Sequence, residues 1–356
     1  MVASSEFTLK SSPVRRTLEQ RLIDDLRFSL ASQGETASRV ERDAARLVVH
    51  GAREVDSAAL TCSRVFGVAY AAPALLVPAD IEHETSTLVR LAMQRLEEGG
   101  SFAIQAHRST PGALLRRSVE LSGGAEVLRS LKDREVRVDL NQPDVTLYVD
   151  LVGDWAYVYT EKLEGPGGLP LSSQWKMLAV LDSGPLTILA AYSMMRRGCM
   201  VQLFIPTSKA IKSFAEESQL LLAKKLARLV ARPGYKAFKL DLDKFVIKGV
   251  ESLADSRRLV RTAGIEFAKK KRFRGVVLAD VMGRLEATMP YRYSAVELPI
   301  VQPLLGLLQE DIDQLSGLVG LNVGTGTEQE SSVEEPLQES LPPILDLETL
   351  VEEVSF

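Results

Sequence analysis

Between residues 18 and 31 apolar side chains fall at Leu18, Leu22, Ile23, Leu26 and Leu30, while Arg21, Asp24, Asp25 and Arg27 take the remaining positions. That spacing predicts an amphipathic helix. Short strands are expected on either side, over residues 6–9 and 45–49, followed by a helix over 56–62 and a strand over 66–77. The order is read as a β-α-β-β-α-β rhythm, the ferredoxin-like arrangement, for which a four-stranded sheet with its helices on one face is expected.

The pattern then repeats with different lengths. A helix is predicted over 82–98, stopped by Gly99 and Gly100, then a strand over 101–106 and a helix over 114–131 interrupted at Gly123 and Gly124. Alternation over 145–152 and 155–161, with Gly153-Asp154 between, predicts a hairpin. The run Gly165-Pro166-Gly167-Gly168-Leu169-Pro170 suits neither helix nor strand and is read as an interdomain connector.

From Lys176 the period changes again. Apolar strands over 177–181, 201–205, 236–240, 275–278 and 298–301 alternate with helices over 186–196, 214–229 and 254–270, which predicts a doubly wound parallel sheet. After Leu321 the chain turns to Gly, Glu, Ser and Pro, a composition that cannot bury enough surface to order itself. The fold class is thus α/β multidomain: an N-terminal ferredoxin-like domain at 1–80, a second α/β domain at 81–168, the parallel-sheet domain at 172–321 and a disordered acidic tail at 322–356.

Composition narrows the chemistry. The 356 residues suffice for two or three domains with cores of their own. No apolar run reaches the roughly 18 residues of a membrane span, and the first residues lack signal-peptide features, so a cytoplasmic protein without membrane contact is expected. Cys62 and Cys199 lie far apart, and the histidines are His50, His83 and His107 alone, which argues against a zinc site or a disulfide framework. The bland reading of both thiols is a small buried side chain.

The net charge of -4 conceals an asymmetry: nine acidic residues and no Lys or Arg follow Leu321, leaving the body at about +5. A basic body suits a polyanion. Lys10, Arg15, Arg16, Arg64, Arg108, Arg116 and Arg117 sit near predicted element ends, where they can reach phosphates and give salt-dependent affinity. Surface cations also serve solubility alone, and both readings stand at this point. The run Lys269-Lys270-Lys271-Arg272, with Arg274 behind it, is either a phosphate grip or a partner for a helix dipole.

Four passages carry a resemblance: Glu6-Phe7-Thr8-Leu9-Lys10 with Arg15-Arg16; Ser63-Arg64-Val65-Phe66-Gly67; Val138-Asp139-Leu140-Asn141-Gln142-Pro143-Asp144-Val145; and Gly165 to Pro170 followed by Lys176. In order and spacing over about residues 5–321 the chain resembles the tRNA 4-thiouridine synthase family. The resemblance implies a THUMP domain that grips tRNA at 81–168, an adenylating PP-loop domain after it, and self-association, since the family is often dimeric.

The last third departs from that pattern. A PP-loop reads Ser-Gly-Gly-x-Asp-Ser, because backbone and hydroxyl donors must form a nest for pyrophosphate at a helix N-terminus. Here the positions are Asp182, Ser183, Gly184, Pro185, Leu186 and Thr187. Pro185 removes a donor, Asp182 brings a negative charge, and Leu186 replaces the Asp. A second family loop falls on residues 278–288, with Gly283 kept and Thr288 where the family has Gln; Arg261 falls at a family Arg, and Gln302 stands in place of another.

The expectation is therefore a tRNA-binding protein with a vestigial nucleotide loop, a non-adenylating or accessory factor in tRNA modification, with no catalytic residue, metal or cofactor. The alternative is an active tRNA sulfurtransferase using ATP and magnesium through an atypical loop. Sulfur transfer would fall to Cys199 alone. The tail has three readings: a solvated linker, a competitor for the basic face, or a docking peptide for a partner protein through Ile344, Leu345, Leu347, Leu350 and Val351.

Overall fold

The computed structural model describes residues 1–4, 10–35, 39–43, 46–108, 113–230, 234–244, 253–282, 298–321 and 351–356. They form two compact units, Met1–Gly168 and Leu169–Phe356.

The first unit runs β1 (Val2–Ser4), α1 (Ser12–Ser32), β2 (Arg39–Asp43), β3 (Arg46–His50), α2 (Val55–Ser63), β4 (Val68–Ala71), β5 (Leu75–Pro78), α3 (Ile81–Arg95), β6 (Ser101–Arg108), α4 (Ala113–Ser130), β7 (Arg137–Val138), β8 (Val145–Val152), β9 (Trp155–Tyr159) and β10 (Leu163–Glu164). The ferredoxin-like rhythm is present, and α1 buries the Leu18, Leu22, Ile23, Leu26 and Leu30 stripe. The strand expected at residues 6–9 lies outside the described residues.

The first sheet has five strands rather than four, in the order β10-β4-β1-β3-β2, because β10 returns from far along the chain to pair with β4. The strand predicted over 66–77 is two strands in two sheets: β4 joins the first, and β5 crosses to pair with β9 at the edge of the second, ordered β5-β9-β8-β6-β7. Pro73, between them, cannot donate to a ladder and marks the break.

The helix break predicted at Gly123-Gly124 is corrected: α4 runs unbroken. A Cβ on Gly123 would sit 2.7 Å from Leu88 Cδ1 and 3.0 Å from Ile104 Cδ1. That glycine is there to let α4 pack closely on α3 and β6.

Glu84, on α3, is buried among these elements, and burial, with a smaller contribution from the Asp80 charge, pushes its carboxyl up to about 7 from 4.5. The folded state then holds an extra proton between those values, so the stability tied to protonated Glu84 is complete below about pH 4.5 and lost as pH rises through 7. Glu84→Gln is expected to flatten the pH dependence of the urea midpoint across that window and to raise stability at pH 8 by about 1–3 kcal/mol.

The second unit runs β11 (Lys176–Val180), α5 (Pro185–Arg196), β12 (Met200–Thr207), α6 (Glu216–Ala227), β13 (Lys236–Asp241), α7 (Leu253–Lys270), β14 (Val276–Val277), β15 (Ile300–Val301), α8 (Gln309–Val319) and β16 (Val351–Ser355). Its sheet is ordered β15-β14-β11-β12-β13-β16, with every pair parallel except β13-β16. Phe204, Phe238, Phe267 and Phe273 interlock in the core, with centroid separations of 4.8 to 6.1 Å.

The expectation of a disordered tail across 322–356 is corrected at its end. Val351–Ser355 pairs antiparallel with β13, and Glu353 and Glu352 meet Lys236 at 2.7 Å and Lys239 at 3.3 Å. Composition alone misses this strand, because its support comes from a sheet edge and two lysines elsewhere in the chain.

Candidate functional site

In an open parallel sheet the ligand crevice opens where strand order reverses, beyond the carboxyl ends of the strands. Here that point lies between β11 and β14. The segment 182–187 leaves the end of β11 and enters α5, as a nucleotide loop would, with Gly184 at φ 55 and Pro185 in the first turn.

Its hydrogen bonds close on themselves. The Asp182 N–H donates to Val180 O at 2.9 Å, the Ser183 N–H to Thr187 Oγ1 at 3.3 Å, and the Thr187 N–H to Gly184 O at 3.1 Å. The Thr187 hydroxyl donates back to Val180 O at 3.3 Å, and the Ser183 hydroxyl donates to Asp182 Oδ1 at 3.1 Å.

Asp182 does not point a bare charge into the crevice. Its Oδ2 accepts from Arg261 Nε at 2.5 Å, and the two terminal nitrogens of Arg261 bond both oxygens of Asp280 at 2.7 and 3.2 Å. Gln302 Nε2 donates to Asp280 Oδ2 at 2.5 Å, and Arg257 Nε donates to the Asp182 carbonyl at 3.3 Å. Asp182, Arg261 and Asp280 are 3%, 3% and 6% exposed. Burial opposes the Arg261 charge, but the two carboxylates more than offset it and hold the guanidinium above its ordinary range.

Each residue reaches this spot from a different element. Asp182 follows β11, Asp280 follows β14, Gln302 follows β15, and Arg261 projects from α7. Sequence reasoning singled out Asp182, Arg261 and Gln302 but missed Asp280, the common partner of Arg261 and Gln302. A polar residue two or three positions past an apolar parallel strand is the signal that finds it. Gly283 lies outside the described residues.

The basic residues of the first unit divide into groups. β4 starts opposite the end of β1, through Ser4 and Val68, so the entry to α1 and the exit of α2 share one end of the ferredoxin-like sheet. Lys10, Arg15 and Arg16 therefore lie at the same end as Arg64. Lys10, Arg16 and Arg64 are exposed, while Arg15 is partly buried and sits 3.6 Å from Glu19. The Arg64 loop is pinned by Gly67 N–H to Gly167 O at 2.9 Å and Gly167 N–H to Val68 O at 2.8 Å. A Cβ on Gly165 would meet Val68 O at 2.3 Å, so the glycine-rich segment is packed on β4 rather than serving only as a connector. Arg116 and Arg117 are exposed in the first turns of α4, and Arg108 ends β6.

A second polar cluster, missed from sequence, joins the two sheets of this unit. Arg46 Nε meets buried Asp150 at 2.9 Å, the Tyr157 hydroxyl donates to Asp43 at 2.5 Å, and Lys162 Nζ lies 3.6 Å from the Tyr148 ring centroid. Both cysteines are buried, and burial pushes the Cys62 thiol up to about 12 and the Cys199 thiol upward too.

Comparison with known proteins agrees with this architecture. Residues 1–72 match a ThiI ferredoxin-like domain, 79–161 a THUMP domain, and 172–327 the thiamine biosynthesis protein (ThiI) family. A tRNA sulfurtransferase of Pyrobaculum aerophilum is 28% identical over 90% of this chain and 66% of its own length, so the chain spans just under two thirds of that relative. A probable tRNA sulfurtransferase of Thermococcus kodakarensis is 27% identical over 90% of this chain and 87% of its own length.

Among solved structures, a Pyrococcus horikoshii protein superposes with a TM-score of 0.68 at 23% identity, over 90% of this chain and 98% of that one. A 4-thiouridine synthetase crystallised with RNA and bound ATP superposes at 0.70 and 20% identity, over 90% and 84%. At these identities the likeness is one of fold. Three consecutive domain models, in the family's order and spanning most of the sequence, lead to one assignment: the chain belongs to the tRNA 4-thiouridine synthase, or tRNA sulfurtransferase, family.

Proposed function

We propose that this protein binds tRNA through its N-terminal unit and serves tRNA modification without adenylating the RNA itself, as a non-adenylating or accessory member of its family. The observation that carries this reading is the pairing of Arg261 with Asp182 and Asp280 at the switch point of the sheet. A pyrophosphate placed there would meet two carboxylates, a guanidinium already committed to both, and a loop in which the Asp182, Ser183 and Thr187 amides already have acceptors and Pro185 has no N–H to offer. The residues present do not fit ATP and magnesium. Nor do Cys62 and Cys199, both buried with raised thiol pKa values, offer an accessible thiolate to carry sulfur.

The relatives' names support the alternative, an ATP-dependent tRNA sulfurtransferase. Calorimetry with Mg-ATP separates the two: the expected result is no heat and no thermal shift, and saturable binding with a matching thermal shift would establish the alternative. The RNA half is tested by titrating labelled tRNA at 50 and 200 mM salt. Affinity is expected to fall steeply with salt, and more shallowly in a variant with Arg16, Arg64, Arg116 and Arg117 changed to Ser, because each phosphate contact contributes about 0.9 to the log–log slope. Binding that ignores salt would sink this half.

A further inference from the structure

Cations crowd one pole of the C-terminal sheet. Helices that return between parallel strands bring their C-terminal ends to the amino ends of the strands. The ends of α5 and α7 therefore meet the starts of β11 and β14 at the pole opposite the Arg261 network. Arg197 closes α5, Lys270 ends α7, Arg272 and Arg274 occupy the turn from α7 to β14, and Lys176 opens β11; all five are exposed.

Backbone hydrogen bonds make these positions neighbours. The Arg274 N–H donates to Lys176 O at 2.9 Å, the Met200 N–H to Trp175 O at 3.1 Å, and the Gln174 N–H to Gly198 O at 3.0 Å. Trp175, 58% exposed, stands within the row. The row crosses β14, β11 and β12, about 10 Å of sheet at ~4.8 Å per strand.

The nearby acids are taken: Glu266 meets Lys269 at 2.8 Å and Glu353 meets Lys236 at 2.7 Å. Among the described residues, Arg197, Lys270, Arg272 and Arg274 form no ion pair.

A helix dipole accounts for Lys269 and Lys270 in the last turn of α7. It does not account for Lys176 and Arg274 at strand starts, nor for an exposed indole between them. Arg272 is the more telling residue. α7 ends in a Schellman turn, with the Phe273 N–H donating to Ala268 O at 2.9 Å and the Arg272 N–H to Lys269 O at 3.1 Å. Arg272 holds φ 56 at the position where glycine costs least. Folding alone would favour glycine there.

We infer that this pole is a second RNA-contact surface, with Lys176, Arg197, Lys270, Arg272 and Arg274 on the phosphate backbone and a base stacked on Trp175. The exposed indole favours RNA over an acidic protein, since every base offers a face to stack while a carboxylate-rich surface gains nothing from it. The surface adds to the tRNA binding proposed for the N-terminal unit and uses none of its residues.

The test measures fluorescence anisotropy of labelled tRNA with the full-length protein at 50 and 200 mM salt. A Lys270→Ser, Arg272→Gly, Arg274→Ser triple variant is expected to weaken binding about tenfold at the lower salt and to reduce the slope of log Kd on log salt by about 2–3. Trp175→Ala is expected to weaken binding severalfold with the slope unchanged. Arg272→Gly alone should weaken binding while its Tm stays level or rises, which separates lost contacts from lost fold.

Unchanged affinity and slope in the pole variants overturn the proposal. The same result confined to the N-terminal variants overturns the other reading and leaves this one standing. If the triple variant keeps tRNA but loses poly-glutamate, the surface belongs to an acidic protein and the RNA assignment fails.

Discussion

Arg261→Met is expected to destabilise the C-terminal domain by about 3–5 kcal/mol, because it leaves two buried carboxylates facing each other without a counter-charge. Asp182 and Asp280 are nearly inaccessible to water, and only the neutral donors Ser183, to Asp182, and Gln302, to Asp280, remain to bond them. Asp182→Asn should cost much less, since Arg261 keeps its bidentate partner Asp280. Combining Arg261→Met with Asp182→Asn and Asp280→Asn should recover most of the loss by removing the buried charge altogether. Urea titration of each variant measures these differences. A loss below about 1 kcal/mol for Arg261→Met would mean that water reaches the network and that the crevice is open to ligands.

The second large effect is expected at the junction of the two N-terminal sheets. Arg46→Met strips buried Asp150 of its cation, leaving the Tyr159 hydroxyl at 3.5 Å as a weak partner, and should cost about 2–3 kcal/mol. Burial and then the Asp150 charge hold the Tyr159 phenol above its ordinary range, so that hydroxyl stays a donor at any working pH. Arg46 spans the sheets from β3 to β8, so its loss should also reduce cooperativity, seen as a lower urea m-value. Asp150→Asn in the same background should restore part of the stability, and strict additivity of the two substitutions would show that the pair is not coupled.

The elements of both units were legible wherever local pattern controls them. The α1 stripe, the 145–159 hairpin and the parallel strands after Lys176 follow from period and turn chemistry alone. What stayed hidden depends on distant partners. Gly123 reads as a helix breaker until Leu88 and Ile104 are known to press against it. β16 reads as an acidic tail until Lys236 and Lys239 are placed beside it. Asp182 reads as a charge aimed at a ligand, and the sequence holds Arg261 and Asp280 without revealing that the fold brings both carboxylates to the same guanidinium. The candidate site was thus legible as an incomplete list, Asp182, Arg261 and Gln302 without Asp280, and illegible as an arrangement.

β10 carries a consequence for the order of assembly. Leu163 and Glu164 complete an edge of the first sheet by pairing with Ala71 and Tyr70, some ninety residues earlier in the chain, while β5 leaves that region to join the second sheet. During synthesis the ferredoxin-like half must wait, with β4 unpaired on one side, until nearly the whole THUMP segment has emerged. The two halves are therefore expected to fold as one kinetic event, and cutting the chain at residue 80 should yield fragments that aggregate through that open strand instead of two independent domains.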